Sequence, residues 1–202
     1  MHTGTKGELE IQNQQNSSKR ADVFYKRQMK SILNNKMKAL IERQEMVFIA
    51  TSDADGNCDC SPRFGEKGLV SILDNTTLAY PDYRGNGVFA SLGNIQENPH
   101  IGMVFVDFYN TTVGLHVNGK AHSFPMNQLP EKHLDTIIQL SSNIEVEIER
   151  WVIVQIDEAY IHCSKHVPKL KKVEKKIKWG TDDEKEKSTN YFSKQETEAC
   201  TV

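Results

Sequence analysis

The chain has 202 residues, of which 38% are hydrophobic and 26% charged, and its formal net charge is −2. This length favours one domain with a sizeable core, because domains commonly span roughly 100–200 residues. The nearly balanced charge favours neither nucleic acid nor a membrane surface as partner, and no apolar run approaches the roughly 20 residues of a membrane-spanning helix. The first residues lack the apolar segment of a signal peptide, so we expect a cytoplasmic protein.

The four cysteines form no C-x-x-C pair, and a chain of this length can build a core without disulfides. We therefore expect reduced thiols. A metal site formed by Cys58, Cys60, His162 and Cys163 is an alternative, but the C-x-C spacing differs from the C-x₂₋₄-C spacing of tetrahedral sites. The sequence thus favours small buried thiols and no metal.

Residues 1–20 are rich in Gln, Asn, Ser, Lys and Glu and contain almost no large apolar side chain. This composition predicts a disordered leader. From residue 21 to residue 44, apolar side chains recur at intervals of three and four. The spacing predicts an amphipathic helix with a break near Asn34 and Asn35.

Short apolar segments separated by turn signals follow this helix. The first two flank Asp53-Ala-Asp-Gly56, a sequence typical of a β-hairpin turn. Short connections predict an antiparallel sheet, and closure into a barrel removes its exposed edges. The predicted strands cover residues 46–51, 58–61, 69–73, 77–80, 101–108, 115–124 and 151–163, and the predicted helices 88–97 and 127–141.

The composition changes near residue 168, since seven Lys and one Glu lie between Lys165 and Lys178. We therefore divide the chain into a leader (1–20), a main domain (21–168) and a charged C-terminal tail (169–202). A solvated tail and a basic patch for RNA are two interpretations, and the second lacks the interleaved aromatic residues of such patches. Trp179 and the Tyr191-Phe192 pair favour a tail that folds back onto the body or onto a partner subunit.

A candidate anion site lies in the loop after the fourth predicted strand. Arg84 is followed by Gly85, Asn86 and Gly87, and a helix begins directly afterwards. A guanidinium group, a glycine-permitted backbone and the N–H groups of a helix N-terminus together suit a phosphate. A surface loop with a solvated Arg84 is the alternative.

The same loop matches G-x-G-x-x-A from Gly85 to Ala90, and Asp107 follows at the distance of a ribose-binding acid. A dinucleotide fold would explain this match. However, four residues, 81–84, separate the strand from the glycines, and the flanking strands are predicted to be antiparallel. The glycine pattern alone is therefore weak support for that fold.

Ser61-Pro-Arg63 ends the second predicted strand. In a small closed barrel this strand end can lie beside the Arg84 loop, which would give two guanidinium groups to one dianionic phosphate. A terminal phosphate suits this arrangement better than an internal pyrophosphate does. The residues therefore favour FMN or pyridoxal phosphate over NAD.

Several motifs together resemble the pyridoxamine 5′-phosphate oxidase-like family of FMN-binding split-barrel proteins. The similarity covers residues 46–124 and is carried by FIATSDADGNCDCSPR, LAYPDYRGNG, NIQENPHIG and HVNGKA. An uncharacterised branch of that family is also similar at YIHCSK (160–165) and WGTDD (179–183). The resemblance implies a mainly β fold with flanking helices, an antiparallel six-stranded split barrel, and a homodimer that holds FMN between its subunits.

The resemblance also implies roles for individual residues. The loop and helix start would hold the flavin phosphate, and the second strand would line the phosphate and the isoalloxazine ring, whereas further contacts would come from the second subunit. The positions that match are Arg84, Asn86 and Ser91 in the loop and helix, Ser61 and Arg63 in the strand, and His162, Lys165 and Trp179 from the partner.

We expect a flavin-dependent oxidoreductase that transfers hydride between FMN and an unknown small molecule. A non-catalytic carrier or sensor of flavin or pyridoxal phosphate is the alternative. The chain lacks the Ser-Arg-Lys run and the C-terminal Arg-x-His signature of the true oxidase, which argues against oxidation of pyridoxamine phosphate. No triad or carboxylate-pair spacing indicates a hydrolase, and no side chain is identified as catalytic.

Overall fold

The computed structural model describes residues 4–144, 146–175 and 177–178. The chain divides into two units, Met1–Lys172 and Val173–Val202. In the second unit, the described residues form neither helix nor strand and are exposed. The predicted fold-back of Trp179, Tyr191 and Phe192 lies outside the described residues.

The described residues of the first unit form one antiparallel sheet of seven strands, one more than the six that the resemblance implies. The shortest strand, Ser71–Asp74, pairs with the next strand across a tight turn at residues 75–76. The spatial order is β2-β1-β5-β6-β7-β4-β3. The strands are β1 (Met46–Ser52), β2 (Cys58–Phe64), β3 (Ser71–Asp74), β4 (Thr77–Tyr83), β5 (His100–Val106), β6 (Gly114–Phe124) and β7 (Ile148–His162).

Five α-helices flank the sheet in the described part of the chain: α1 (Lys6–Gln14), α2 (Ser18–Arg27), α3 (Asn35–Glu42), α4 (Ala90–Glu97) and α5 (Leu134–Ser141). The predicted helix at 21–44 is divided into α2 and α3, and the Asn34 side chain caps α3. The region 127–141 is helical only in part, because Pro125 and Pro130 each precede a short 3₁₀ turn, at Met126–Gln128 and Glu131–His133. None of the described helices is long and apolar enough to cross a membrane.

Helix α1 lies inside the segment for which the sequence predicts a disordered leader. Thr5 and Glu8 form a capping box, in which each side chain accepts a hydrogen bond from the other residue's backbone N–H. Gln12 Nε2 also donates to the Tyr25 hydroxyl of α2, at 2.7 Å. These polar contacts order a helix that has no buried residue, which composition alone does not reveal.

Strand β7 joins the two parts of the sheet. Its residues 148–155 pair with β4, and its residues 151–162 pair with β6. Alternate residues of the strands point inward and form the main core, which includes Ile49, Phe105 and Val154. A second apolar cluster packs Trp151 of β7 with Ile137 of α5.

The sheet curls so that strands near its two ends meet. β2 is at one end of the strand order and β4 is next to the other end. Arg63 of β2 nevertheless forms an ion pair with Asp82 of β4. The cleft between β2 and β4 is therefore the split of the barrel.

The antiparallel pairing excludes the dinucleotide fold, which needs a parallel sheet. The carboxylate of Asp107 closes the turn after β5, where it accepts hydrogen bonds from Asn110 and Thr111 and pairs with Arg43. Burial raises the pKa of this carboxyl group, but the Thr111 and Asn110 donors and the Arg43 charge outweigh burial and hold the pKa at about 2. Asp107 therefore has a structural role in the turn.

The sequence-based expectation of buried thiols is wrong for Cys58, Cys60 and Cys163, which are exposed. Cys58 and Cys60 lie on the outward face of β2, which the rest of the sheet does not cover. No group of three or more His, Cys, Asp or Glu side chains suited to a metal ion occurs among the described residues.

Gly119 lies at an irregularity in the pairing of β6 with β7. The register between these strands shifts after Asn118, and a Cβ atom on Gly119 would lie 2.1 Å from the Gln155 carbonyl oxygen. We expect Gly119→Ala to lower the free energy of unfolding by about 2–3 kcal/mol, because the backbone must move to relieve this overlap. Urea-induced unfolding measures the change.

Gly93→Ala is the matched control, since a Cβ atom on Gly93 of α4 would meet nothing within 4 Å. Alanine favours a helix more than glycine does, by about 1 kcal/mol, so this variant should be as stable as the wild type or more stable. Equal effects of the two substitutions would contradict the close approach at Gly119.

Candidate functional site

The candidate site is built on the alternation of side chains along β2. Asp59, Ser61 and Arg63 occupy every second position and are partly buried, whereas the residues between them are exposed. Ser61 and Arg63 pair in register with Ile49 and Val47, which are buried in the core. The polar face of β2 is therefore turned toward the interior side of the barrel, at its split.

Arg63 makes contacts on both sides of the split. Its Nη1 donates to Ser61 Oγ at 2.6 Å and to the Pro62 carbonyl at 3.3 Å, and its Nη2 lies 3.5 Å from Asp82 Oδ1. The two charged side chains retain 22% and 13% of their exposure. The Nε atom of Arg63 is buried and has no hydrogen-bond partner in the described structure. One donor of the guanidinium fork is thus left for a ligand.

Asp82 belongs to a larger group of buried polar side chains. Burial raises the pKa of Asp82, Arg63 lowers it, Glu149 raises it and Arg150 lowers it, with a net upward shift. The hydroxyl of Tyr80 and the Oε2 atom of Glu149 are buried without a hydrogen-bond partner among the described residues. Burial also raises the pKa of Tyr80 above its usual range, so this phenol stays neutral.

The loop from β4 to α4 carries the other predicted phosphate contacts. Arg84 and Asn86 are exposed there, and Asn86 Oδ1 accepts a hydrogen bond from the Val88 N–H at 3.0 Å. Gly87, with φ 77°, adopts the left-handed conformation that glycine permits. The Asn86 carbonyl group thus shapes the loop, while its amide nitrogen makes no hydrogen bond described within the chain.

Helix α4 begins beside the polar face of β2. Phe89 precedes it in a left-handed conformation, with φ 55°, and no described side chain caps the helix N-terminus. Ser91 is buried, and its Oγ donates to Asp59 Oδ2 at 3.2 Å. The uncapped N–H groups of the first turn are donors of the kind that bind anions.

The structure therefore brings part of the predicted site together. Ser61, Arg63 and Ser91 lie around the polar face of β2, and Arg84 and Asn86 lie on the adjoining loop. These five positions come from β2, from α4 and from the segment that connects β4 to α4.

The remaining predicted residues lie elsewhere in the chain. His162 ends β7, at the opposite end from Arg150, which is the residue that pairs with Asp82. Lys165 is exposed in the short 3₁₀ turn Ser164–His166, and Trp179 lies outside the described residues. Their predicted contacts with a flavin require a second subunit and stay a prediction.

His162 instead contacts the side chains of β6 and β7. Its Nδ1 lies 3.0 Å from His116 Nε2, and the His116 ring stacks on Tyr160 with ring centroids 4.8 Å apart. Burial and the neighbouring His162 lower the pKa of His116. This cluster is on the outward face of the sheet.

Two carboxylates of the site, Asp59 and Asp82, were not predicted from the sequence. The sequence does contain a signal for Asp59, because Asp59, Ser61 and Arg63 occupy alternate positions of one strand and so share a face. Asp82 is two residues from Arg84, but its contact with Arg63 depends on the curling of the whole sheet. A side-chain contact between two strands that do not pair with each other cannot be read from residue spacing.

A flavin phosphate fits these residues with one conflict. The free Nε of Arg63, the uncapped start of α4 and the hydroxyl group of Ser61 are suitable donors, whereas the Ser91 hydroxyl already donates to Asp59. Asp82, however, already occupies one side of the Arg63 guanidinium group. The donor set thus suits an anion, and the carboxylate competes with it.

Residues 33–155 match the pyridoxamine 5′-phosphate oxidase family. This range covers more than half of the chain and contains six of the seven described strands and the first eight residues of β7. The chain therefore belongs to the pyridoxamine 5′-phosphate oxidase-like family, and its mainly β antiparallel sheet with flanking helices has the split-barrel fold of that family. The match confirms the family and the fold class that the sequence motifs predict. The family is one in which flavin binding is typical, although some members bind heme.

The chain is also similar to several solved structures, each with a TM-score below 0.5. HupZ from Group A Streptococcus is 21% identical, with a TM-score of 0.49 over 64% of this chain and 93% of that one. An FMN-binding protein from Syntrophomonas wolfei is 12% identical, with a TM-score of 0.44 over 73% and 96%. HutZ, the heme storage protein from Vibrio cholerae, is also 12% identical, with a TM-score of 0.46 over 64% and 94%. No curated protein matches the sequence.

Proposed function

We propose that this protein is an FMN-binding flavoprotein that acts as an oxidoreductase on a small molecule. The observation that carries the proposal is the cleft at the barrel split, where a partly buried Arg63 keeps a free donor beside the uncapped start of α4. Membership of a family that typically binds flavin supports the same cofactor.

Each residue of the cleft has a defined part in this proposal. Arg63 and Arg84 supply charge to the phosphate, and the first-turn N–H groups of α4 supply neutral donors. Ser61 holds Arg63 in place through the 2.6 Å hydrogen bond, and Ser91 ties α4 to β2 through Asp59. Asn86 fixes the loop through the Val88 N–H.

Bound FMN would supply the hydride-transfer chemistry, whereas the chain would orient the cofactor and exclude water from it. The described side chains of the cleft are suited to binding, because the arginines and Ser61 can act as donors to a phosphate. The substrate would have to bring its own transferable hydrogen.

A homodimer would complete the site. The outward faces of β2, β1, β5 and β6 present one cross-strand row, formed by Pro62, Phe48, Val104 and His116, whereas Phe24 of α2 packs on Tyr160 at the β7 end of the row. Phe64, at the end of β2, is 49% exposed. A second copy packed on this face would cover apolar surface and could bring its own His162 and Lys165 to the flavin.

Purified protein tests the cofactor and the activity together. We expect FMN to bind, with the spectrum of protein-bound flavin, and to be reduced by NADH or NADPH at rates of roughly 1–10³ s⁻¹. Flavin that binds but accepts electrons from neither donor would favour a carrier or sensor. Protein that takes up no FMN, or that shows a heme spectrum or the near-ultraviolet aldehyde band of pyridoxal phosphate instead, would contradict the proposal.

Arg84→Ala tests the loop as the phosphate site. The variant should weaken FMN binding by about 1.5–3 kcal/mol, the range for a hydrogen bond to a charged group, and leave the binding of riboflavin, which lacks the phosphate, unchanged. Arg27→Ala, at an exposed position of α2, is the control for loss of one positive charge. Calorimetric titration gives both affinities, and an unchanged affinity for FMN would remove the loop from the site.

Phe64→Glu tests the dimer. The substitution should produce a monomer in sedimentation and abolish tight FMN binding, because it places a charge in the proposed apolar interface. Ile138→Glu, on α5, is the matched control, since Ile138 is 50% exposed. A wild-type monomer that binds FMN tightly, or a dimer in both variants, would contradict this assembly.

A further inference from the structure

The ion pair between Arg63 and Asp82 lies where the proposed function needs a phosphate. A guanidinium group binds a carboxylate and a phosphate through the same planar set of donors, so the two anions compete for it. Asp82 is well placed to compete, because only 13% of its side chain is exposed and β4 holds its backbone against β7.

The surroundings add negative charge to the cleft. Asp59 lies on the polar face of β2 with Arg63, and Glu149 is close enough to raise the pKa of Asp82. Arg150 pairs with Asp82 along the backbone, and its positive charge lowers the pKa of Asp82. Its guanidinium group donates to Ser123 through Nε at 3.1 Å and Nη2 at 3.0 Å, so it makes its hydrogen bonds outside the ion pair. The carboxylates of Asp82 and Glu149 thus offset part of the positive charge that Arg63 offers to a phosphate.

The ion pair is also loose enough to be replaced. Its Nη2 to Oδ1 distance of 3.5 Å exceeds the roughly 2.7–2.9 Å of a well-formed charge-assisted hydrogen bond. The buried Nε of Arg63 has no partner within the described structure. An incoming phosphate could thus take donors that Asp82 holds weakly or not at all.

We propose that Asp82 determines the ligand specificity of the cleft by competing with the ligand's phosphate for Arg63. The inference rests on the proposed flavin site and goes beyond it. It states that one carboxylate, that of Asp82, sets the ratio of the affinities for phosphorylated and unphosphorylated ligands. In the wild-type protein, Asp82 then reduces the preference for FMN over riboflavin. The preference is smaller than the one that Arg63 and Arg84 would give without this carboxylate. Removing the negative charge at residue 82 restores the larger preference.

Asp82→Asn tests this role, because it keeps the size of the side chain and removes its charge. We expect FMN to bind at least roughly tenfold more tightly to the variant than to the wild type, the ratio that corresponds to about 1.4 kcal/mol. Riboflavin should bind equally to both proteins. The gain should disappear when Asp82→Asn is combined with Arg63→Ala, since the competition takes place at Arg63.

Asp157→Asn is the matched control for the loss of one negative charge. Asp157 is exposed on β7, seven positions from Arg150 and hence roughly 20 Å along the strand from the pair with Asp82. This variant should bind FMN as the wild type does. A gain of equal size would mean that net charge, rather than Asp82, governs the affinity.

Thermal unfolding separates competition from a structural role. Without ligand, Asp82→Asn should have the lower Tm, because it leaves the partly buried Arg63 charge without its carboxylate. With saturating FMN, its Tm should rise by more than that of the wild type, because the bound ligand is held more tightly. If Asp82→Asn fails to fold, Asp82→Ser serves for the same titrations.

The outcomes distinguish the inference from the function on which it rests. Wild-type protein that binds FMN, with no tightening in either Asp82 variant, overturns the role of Asp82 and leaves the flavin site in place. Equal tightening for FMN and riboflavin also overturns it. If the wild type and both Asp82 variants bind neither ligand, the flavin site and the role of Asp82 are both rejected.

Discussion

The pairing of β7 with both β6 and β4 is the constraint on which the rest of the structure depends. A single strand that is hydrogen-bonded along both edges fixes the position of β4 relative to β6, and the sheet must curl to keep both ladders. The irregularity at Gly119 lets the backbones approach where the register shifts. This curvature brings β2 opposite β4, and so it creates the cleft between them.

The cleft places charged groups where a closed barrel would have apolar ones. Arg63 and Asp82 are both largely covered, and several buried polar atoms around them lack partners in the described structure. A buried ion pair contributes little to stability, because desolvation offsets its attraction. Groups of this kind are common at binding sites, where a ligand completes the hydrogen bonds.

The sequence predicts the strands well because alternation and turn residues are local signals. It misses α1, whose order depends on the contact between Thr5 and Glu8. It also predicts one helix over 127–141, whereas Pro130 interrupts that region and α5 begins only at Leu134. The candidate site is predicted in part: Ser61, Arg63, Arg84, Asn86 and Ser91 lie on elements around one cleft. The ion pair with Asp82 could not be predicted, because it joins residues that only the closed sheet brings together.

The alternation of β2 gives this one strand two chemically different faces. Arg63 points toward the cleft, whereas Cys58 and Cys60 lie on the opposite, exposed face. A thiol-reactive probe attached to Cys60 would therefore sit on the same strand as the cleft without entering it. Its signal could report a change in the strand, or the arrival of a second subunit, while the phosphate donors remain unmodified.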